Sequence, residues 1–150
     1  MKHAIEVDRA GHWPQSDAVG SVTLDYEMRQ RRRVRLECDS TGPVLLDLKR
    51  PAGLRPGDGL RLAEGGWLTI EAAKEDLIEV TTSDPLSLQK LAWHLGNRHC
   101  PAEIHVDIIY IRRDHVLEQM IHGLGGHTKR VMRPFHPEGG AYDGQSHDHD

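Results

Sequence analysis

No stretch of this chain stays apolar for the roughly 18 residues that a membrane-spanning helix needs. Its opening, MKHAIEVDRAG, also has none of the apolar run of a secretory signal, so a cytoplasmic location is expected. Cysteine is scarce: Cys38 and Cys100 form no CxxC pair and are too few for a disulfide framework. Aromatic residues make up 5%, so a core has to come from Leu, Ile and Val. HExxH, G-x-S-x-G and the phosphate-binding GxxxxGK[ST] are all missing, which argues against catalysis and leaves any nucleotide dependence to a partner. Positive charge is not in excess either. Lys and Arg number 19 against 23 Asp and Glu, a net charge of −4, which argues against a nucleic-acid binder, whose surface must neutralise phosphates.

What is present divides into two halves. Residues 1–75 carry 12 basic and 12 acidic side chains, whereas 76–150 carry 7 and 11 together with nine of the eleven histidines. The first half reads as short strands cut by turns: HAIEVD at 3–8, SVTLDYEM at 21–28, RRVRLEC at 32–38, VLLDLK at 44–49, LRL at 60–62 and LTIEA at 68–72. Period-two alternation in Val22, Leu24 and Tyr26, with turn chemistry at Ser40-Thr41-Gly42-Pro43 and Arg55-Pro56-Gly57-Asp58-Gly59, predicts a small β-sandwich or open barrel without helices. Arg29, Arg31, Arg32, Arg33 and Arg35 are expected on a solvated sheet face, paired with Asp25, Glu27 and Glu37.

Beyond residues 73–76 the pattern changes. A strand at 77–82 is followed by Ser83-Asp84-Pro85, an N-cap and a first-turn proline, and then by a helix to about Asn97 whose Leu88, Leu91, Ala92 and Leu95 make one buried stripe. Trp93 points away from that stripe, near Leu86 and Lys90, as if toward another domain or subunit. Two strands in 102–111, a helix from Arg113-Asp114 to Gly123 or Gly125, and a strand at 128–132 complete the order strand, helix, strand, strand, helix, strand. The fold class expected is therefore α+β. A β-rich domain at 1–74 precedes a ferredoxin-like, split βαβ domain at 75–135, and a flexible histidine-containing tail, rich in Gly and Pro from Pro134 onward, occupies 136–150.

On the second helix Leu117, Met120, Ile121 and Leu124 are spaced to face the sheet, which turns His115, Glu118, Gln119 and His122 outward. Two outward imidazoles with a carboxylate between them make a coordinating surface, although a merely solvated face has the same pattern. His147 and His149, in Ser-His-Asp-His-Asp, can wrap an ion and release it without distorting a fold, as a carrier requires and a rigid catalytic cage does not. Imidazole in excess over thiolate favours an N/O site of the Ni(II) or Zn(II) kind. Met1-Lys2-His3 can in principle chelate Cu(II) or Ni(II) through the amine, backbone nitrogens and the His3 imidazole, but His3 equally begins a strand. His127 and His136 bracket the last strand as auxiliary candidates. His94, His99 and His105 are expected to cap, pack or be exposed, with His99 on the buried side of its helix.

Three segments, Trp93-His94-Leu95-Gly96-Asn97-Arg98-His99-Cys100-Pro101, Asp114-His115-Val116-Leu117 with Met120, and Arg133 to Tyr142, together resemble the UreE family of urease accessory proteins. Val22-Thr23-Leu24-Asp25 and the arginines after it extend the similarity to the first half. The resemblance implies an N-terminal domain for partner or peptide binding and a C-terminal metal domain that dimerises, with a possible tetramer on metal binding. It implies that His115 meets its symmetry mate at a two-fold axis to share one ion, completed by His147 and His149. The implied role is a nickel metallochaperone that carries Ni(II) to the urease activation complex with its GTPase partner, with Zn(II) or Cu(II) as in vitro substitutes. Two rivals remain: a metal-dependent hydrolase at the dimer interface with Glu118 as base, and a protein-binding adaptor in which the histidines are incidental.

Overall fold

In a computed structural model of the chain, residues 1–139 are described. They form an α+β arrangement of two sheets and three helices in two compact units that meet at Ala73 and Lys74. The first unit holds β1 (Lys2–Asp8), β2 (Ala18–Leu24), α1 (Tyr26–Arg29), β3 (Arg33–Leu36), β4 (Val44–Asp47), β5 (Gly59–Leu62) and β6 (Trp67–Ala72). The strands make one mixed sheet in the order β2-β6-β5-β1-β4-β3, rather than the two packed sheets of a sandwich. Alternate residues Val22 and Leu24, Val44 and Leu46, Leu60 and Leu62, and Leu68 and Ile70 are buried in its core, as strand periodicity dictates. Asp58 is buried in the turn before β5, where its carboxylate accepts from Arg9 Nη1 (2.6 Å) and from the backbone N–H groups of Arg55 (2.8 Å) and Ala10 (3.1 Å).

One expected strand is instead a strand and a helix. Asp25 accepts from the backbone N–H of Met28 (2.9 Å) and so caps α1, ending β2 at Leu24. Arg29 is thereby carried inward. It is buried and donates to the Leu24 carbonyl (2.9 Å), not solvated on a sheet face. Of the acids expected to pair with the arginines, Glu37 meets Arg35 (2.9 Å) while Asp25 is the helix cap. Asp47, outside that expectation, faces Arg33 at 3.7 Å.

The second unit contains β7 (Glu75–Thr81), α2 (Pro85–Asn97), β8 (Ala102–Ile104), β9 (Ile109–Arg112), α3 (His115–Gly123) and β10 (His127–Arg133). Its sheet runs β10-β7-β9-β8, all pairs antiparallel, so the first and last strands are neighbours. Leu88, Leu91 and Leu95 of α2 and Ile121 of α3 pack with Ile78, Val80, Ile109 and Ile111. Leu124, expected toward the sheet, is 45% exposed. The helix has closed at Gly123, and Leu124 is the C-cap, past the reach of 100° periodicity.

Residues 134–138 are not free of the fold, contrary to the expected mobility from Pro134. Tyr110 and Arg112 alternate with the core residues Ile109 and Ile111, so they lie on the sheet face opposite the helices. Phe135 is buried there under the Arg112 guanidinium (5.6 Å), and Arg133 lies 3.9 Å above the Tyr110 ring. The chain passes from the β10 edge to the β8 edge, where Glu138 N–H donates to the Ala102 carbonyl (2.7 Å). Glu103, 4% exposed, receives Arg133 (3.0 Å), His105 Nε2 (2.6 Å) and the His136 backbone N–H (2.8 Å). Gly and Pro content concealed this strap because one aromatic and one buried acid hold it.

Candidate metal centre

Asp114 has extended backbone (φ −151°, ψ 116°), and its carboxylate accepts from the Leu117 N–H (3.1 Å), which starts α3 at His115. Leu117, Met120 and the buried Ile121 turn inward to the core. His115, Gln119 and His122 are exposed on the other side, with Glu118 partly covered. The Gln119 amide donates to His115 Nε2 (3.2 Å), which leaves the proton of a neutral ring on Nδ1. His122 Nε2 lies 2.7 Å from the Thr128 hydroxyl on β10. An approaching ion therefore displaces only an exposed amide contact to reach Nε2 of His115.

The other candidates are dispersed. His127 opens β10 and is exposed, and the exposed His136 is held through its backbone to Glu103. His3 lies in β1, with its N–H donating to Glu64 Oε1 (2.8 Å) and Nδ1 3.1 Å from Oε2; these hydrogen bonds hold the Glu64 carboxyl below its ordinary pKa. Chelation at Met1-Lys2-His3 would have to remove both contacts, so the strand role is the one the geometry supports. His147 and His149 lie outside the described residues. His94 meets the edge of Trp93 (centroids 5.1 Å apart), and His105 serves Glu103. His99 is not on the buried side of α2. It is exposed with φ 57°, because the helix has ended at Asn97. Cys100 is no ready thiolate ligand: burial, and then the charge of Asp114, push its thiol above its ordinary value.

Among the described residues no group of three or more His, Cys, Asp and Glu is close enough to hold a metal ion. No described helix is long and apolar enough to cross a membrane. Comparison with known proteins adds a second kind of observation. Residues 1–73 match the UreE urease accessory protein N-terminal domain, and residues 75–150 match the UreE urease accessory protein C-terminal domain. The chain belongs to the UreE family of urease accessory proteins. Similar relatives carrying the name urease accessory protein UreE include those of Azorhizobium caulinodans (49% identical, covering 88% of this chain and 67% of the relative) and Chelativorans sp. (47%, 87% and 83%). That of Ruegeria pomeroyi is 42% identical over 96% of this chain and 94% of its own length.

UreE proteins are accessory proteins rather than enzymes, which removes the hydrolase reading and with it the need for Glu118 as a base. Sequence reasoning did not find Gln119 as the partner of His115, nor Glu103 as the anchor of the strap. Gln119 was legible as an i, i+4 neighbour. Glu103 was not, since two of its three partners, Arg133 and the His136 N–H, come from the end of β10 and from beyond it.

Proposed function

We propose that this chain is a nickel metallochaperone that binds Ni(II) as cargo and delivers it to the urease activation complex, together with a urease accessory GTPase, in the cytoplasm. The observation that carries this reading is the position of His115. It stands exposed in the first turn of α3 beside Val116, itself 65% exposed, on a chain whose described residues gather no complete ligand set. A four- to six-coordinate ion must then draw donors from a second copy or from residues 140–150.

On this reading residues 75–135 are the ferredoxin-like, split βαβ metal-binding and dimerisation domain, and the strand order β10-β7-β9-β8 supports it. Residues 1–74 are the β-rich partner-binding domain. His115 of two protomers shares one Ni(II) across a two-fold axis, and His147 and His149 complete the coordination, with His122, His127 and His136 as auxiliary donors. Metal-linked pairing of dimers into tetramers, and occupation by Zn(II) or Cu(II) in vitro, follow from the same exposed imidazoles.

Calorimetric titration with Ni(II) tests the assignment. The native chain should show a tight step at one ion per two chains, and His115→Ala should remove it. Retention of an unchanged tight step in that variant would falsify the ligand assignment.

A further inference from the structure

Two imidazoles stand exposed on the outward face of α3, and each is already engaged through Nε2. His122 is held by the hydroxyl of Thr128 (2.7 Å), a residue fixed in β10 by its pairing with Val80 of β7. His115 is held by the amide of Gln119 (3.2 Å), an exposed side chain one turn further along the same helix. Side chains on a helix lean toward its N-terminus, so residue i+4 reaches back over residue i. Among the described residues neither side chain of this second pair has another hydrogen-bond, ion-pair or ring partner.

The contact between Gln119 and His115 works in one direction. An amide nitrogen can only donate, so Nε2 of His115 accepts with its ring lone pair. An ion coordinated through Nε2 needs that same lone pair, and the amide must first be given up. The hydrogen bond therefore exists only in the unloaded chain. It stabilises that state and lowers the apparent affinity, because the ion meets only the fraction of rings that have been released.

We infer that Gln119 is a release residue, a positioning residue whose amide competes with the cargo ion for Nε2 of His115 and recaptures the ring when the ion leaves. This rests on the carrier role of His115, whereas the hydrogen bond itself does not. An exposed pair of this kind is worth about a factor of two in an equilibrium. One ion shared by two copies displaces two amides, so Gln119 weakens the tight step about fourfold in all. The ring of His122 is held at shorter distance by a hydroxyl anchored in a sheet, which makes His115 the imidazole that yields first.

Two measurements on the full chain test the inference. Nitrogen NMR of the metal-free protein at about pH 8, above the range near 6.5 where imidazoles take up protons, reads the tautomer of each ring. His115 should carry its proton on Nδ1, and Gln119→Leu should move it toward the Nε2–H form that free imidazoles prefer. In titrations with Ni(II) against a competing chelator, Gln119→Leu should bind the tight ion about fourfold more strongly than the native chain. Gln119→Ala, which lacks the bulk of leucine, should match it. Native His115 protonated on Nε2, or equal affinities in all three proteins, overturns the competition. Weaker binding in both variants overturns it as well and makes the Gln119 carbonyl a ligand instead. A tight step that survives His115→Ala overturns the carrier reading, and the competition falls with it even where the tautomer shift is seen.

Discussion

His99 and Gly125 occupy equivalent places at the ends of α2 and α3. After α2, Cys100 N–H bonds back to the Leu95 carbonyl and His99 N–H to that of Gly96; after α3, Gly126 bonds to Ile121 and Gly125 to His122. Both are Schellman closures, which need one residue in the left-handed region, and glycine adopts it without the steric cost that a Cβ brings. Gly125 has φ 85° and His99 has φ 57°. His99→Gly should therefore stabilise the protein, by about 1 kcal/mol in urea unfolding; no gain would show that the imidazole compensates through contacts of its own. At the other end of α2, Asp84 accepts from the N–H and hydroxyl of Ser87, and these bonds hold its carboxyl below the ordinary value. Its stabilising contribution is then complete above the unfolded pKa of about 3.9 and is lost as pH falls through the lower folded value. Asp84→Ala should lower the melting temperature at neutral pH, with a difference from the native chain that closes in strong acid. The cap of α2 was legible in Ser83-Asp84-Pro85 because a cap acts on residues two or three positions away. Arg29 and Glu103 were not, because each is buried by contacts that the local pattern of charges does not encode.

Helix α3 shows how an element can be read on one side and misread on the other. The spacing of Leu117, Met120 and Ile121 marked the inward face, and the outward turn of His115, Gln119 and His122 followed from geometry alone. The same periodicity misplaced Leu124 and His99, because both lie past the last helical residue, where hydrogen bonding to the cap takes over. Ile121 is fully buried between helix and sheet, so Ile121→Ala should cost about 3 kcal/mol, the range for a core isoleucine cut to alanine. Gly126 is next to it: a Cβ there would lie 2.6 Å from Ile121 Cγ2. Gly126→Ala should also destabilise the second unit, and combining it with Ile121→Ala, which removes Cγ2, should cost less than the sum of the two; additive effects in denaturant titrations would refute the clash. The strap at 134–138 escaped the sequence reading for a different reason. Its composition is that of a loop, and its order comes from Phe135 and Glu103, whose partners lie across the sheet. Glu103→Ala should strip three donors of their acceptor at a cost of about 2 kcal/mol and expose the strap to proteolysis before the sheet unfolds.

For the whole molecule the division into two halves was visible as a change from period-two alternation to helical spacing, while the single mixed sheet of the first unit was not. Parallel pairing of β1 with β4 and of β2 with β6 leaves no local trace in a chain of short strands. As a carrier, the protein should bind Ni(II) less tightly as pH falls through about 6.5, the ordinary range in which imidazoles take up protons and cease to coordinate. Titrations at pH 7.5 and 5.5 check this, and equal affinities would point to carboxylate ligands. Removing residues 146–150 should weaken binding or lower stoichiometry with no change in melting temperature. The adjacency of β7 and β10 has a temporal consequence. Glu75 is paired with Arg133, so a nascent chain carries an unfilled sheet edge through the synthesis of two helices and two strands, and closes it only when the final strand has left the ribosome. Translation halted before His127 should therefore release a sticky intermediate, not a small version of the native domain.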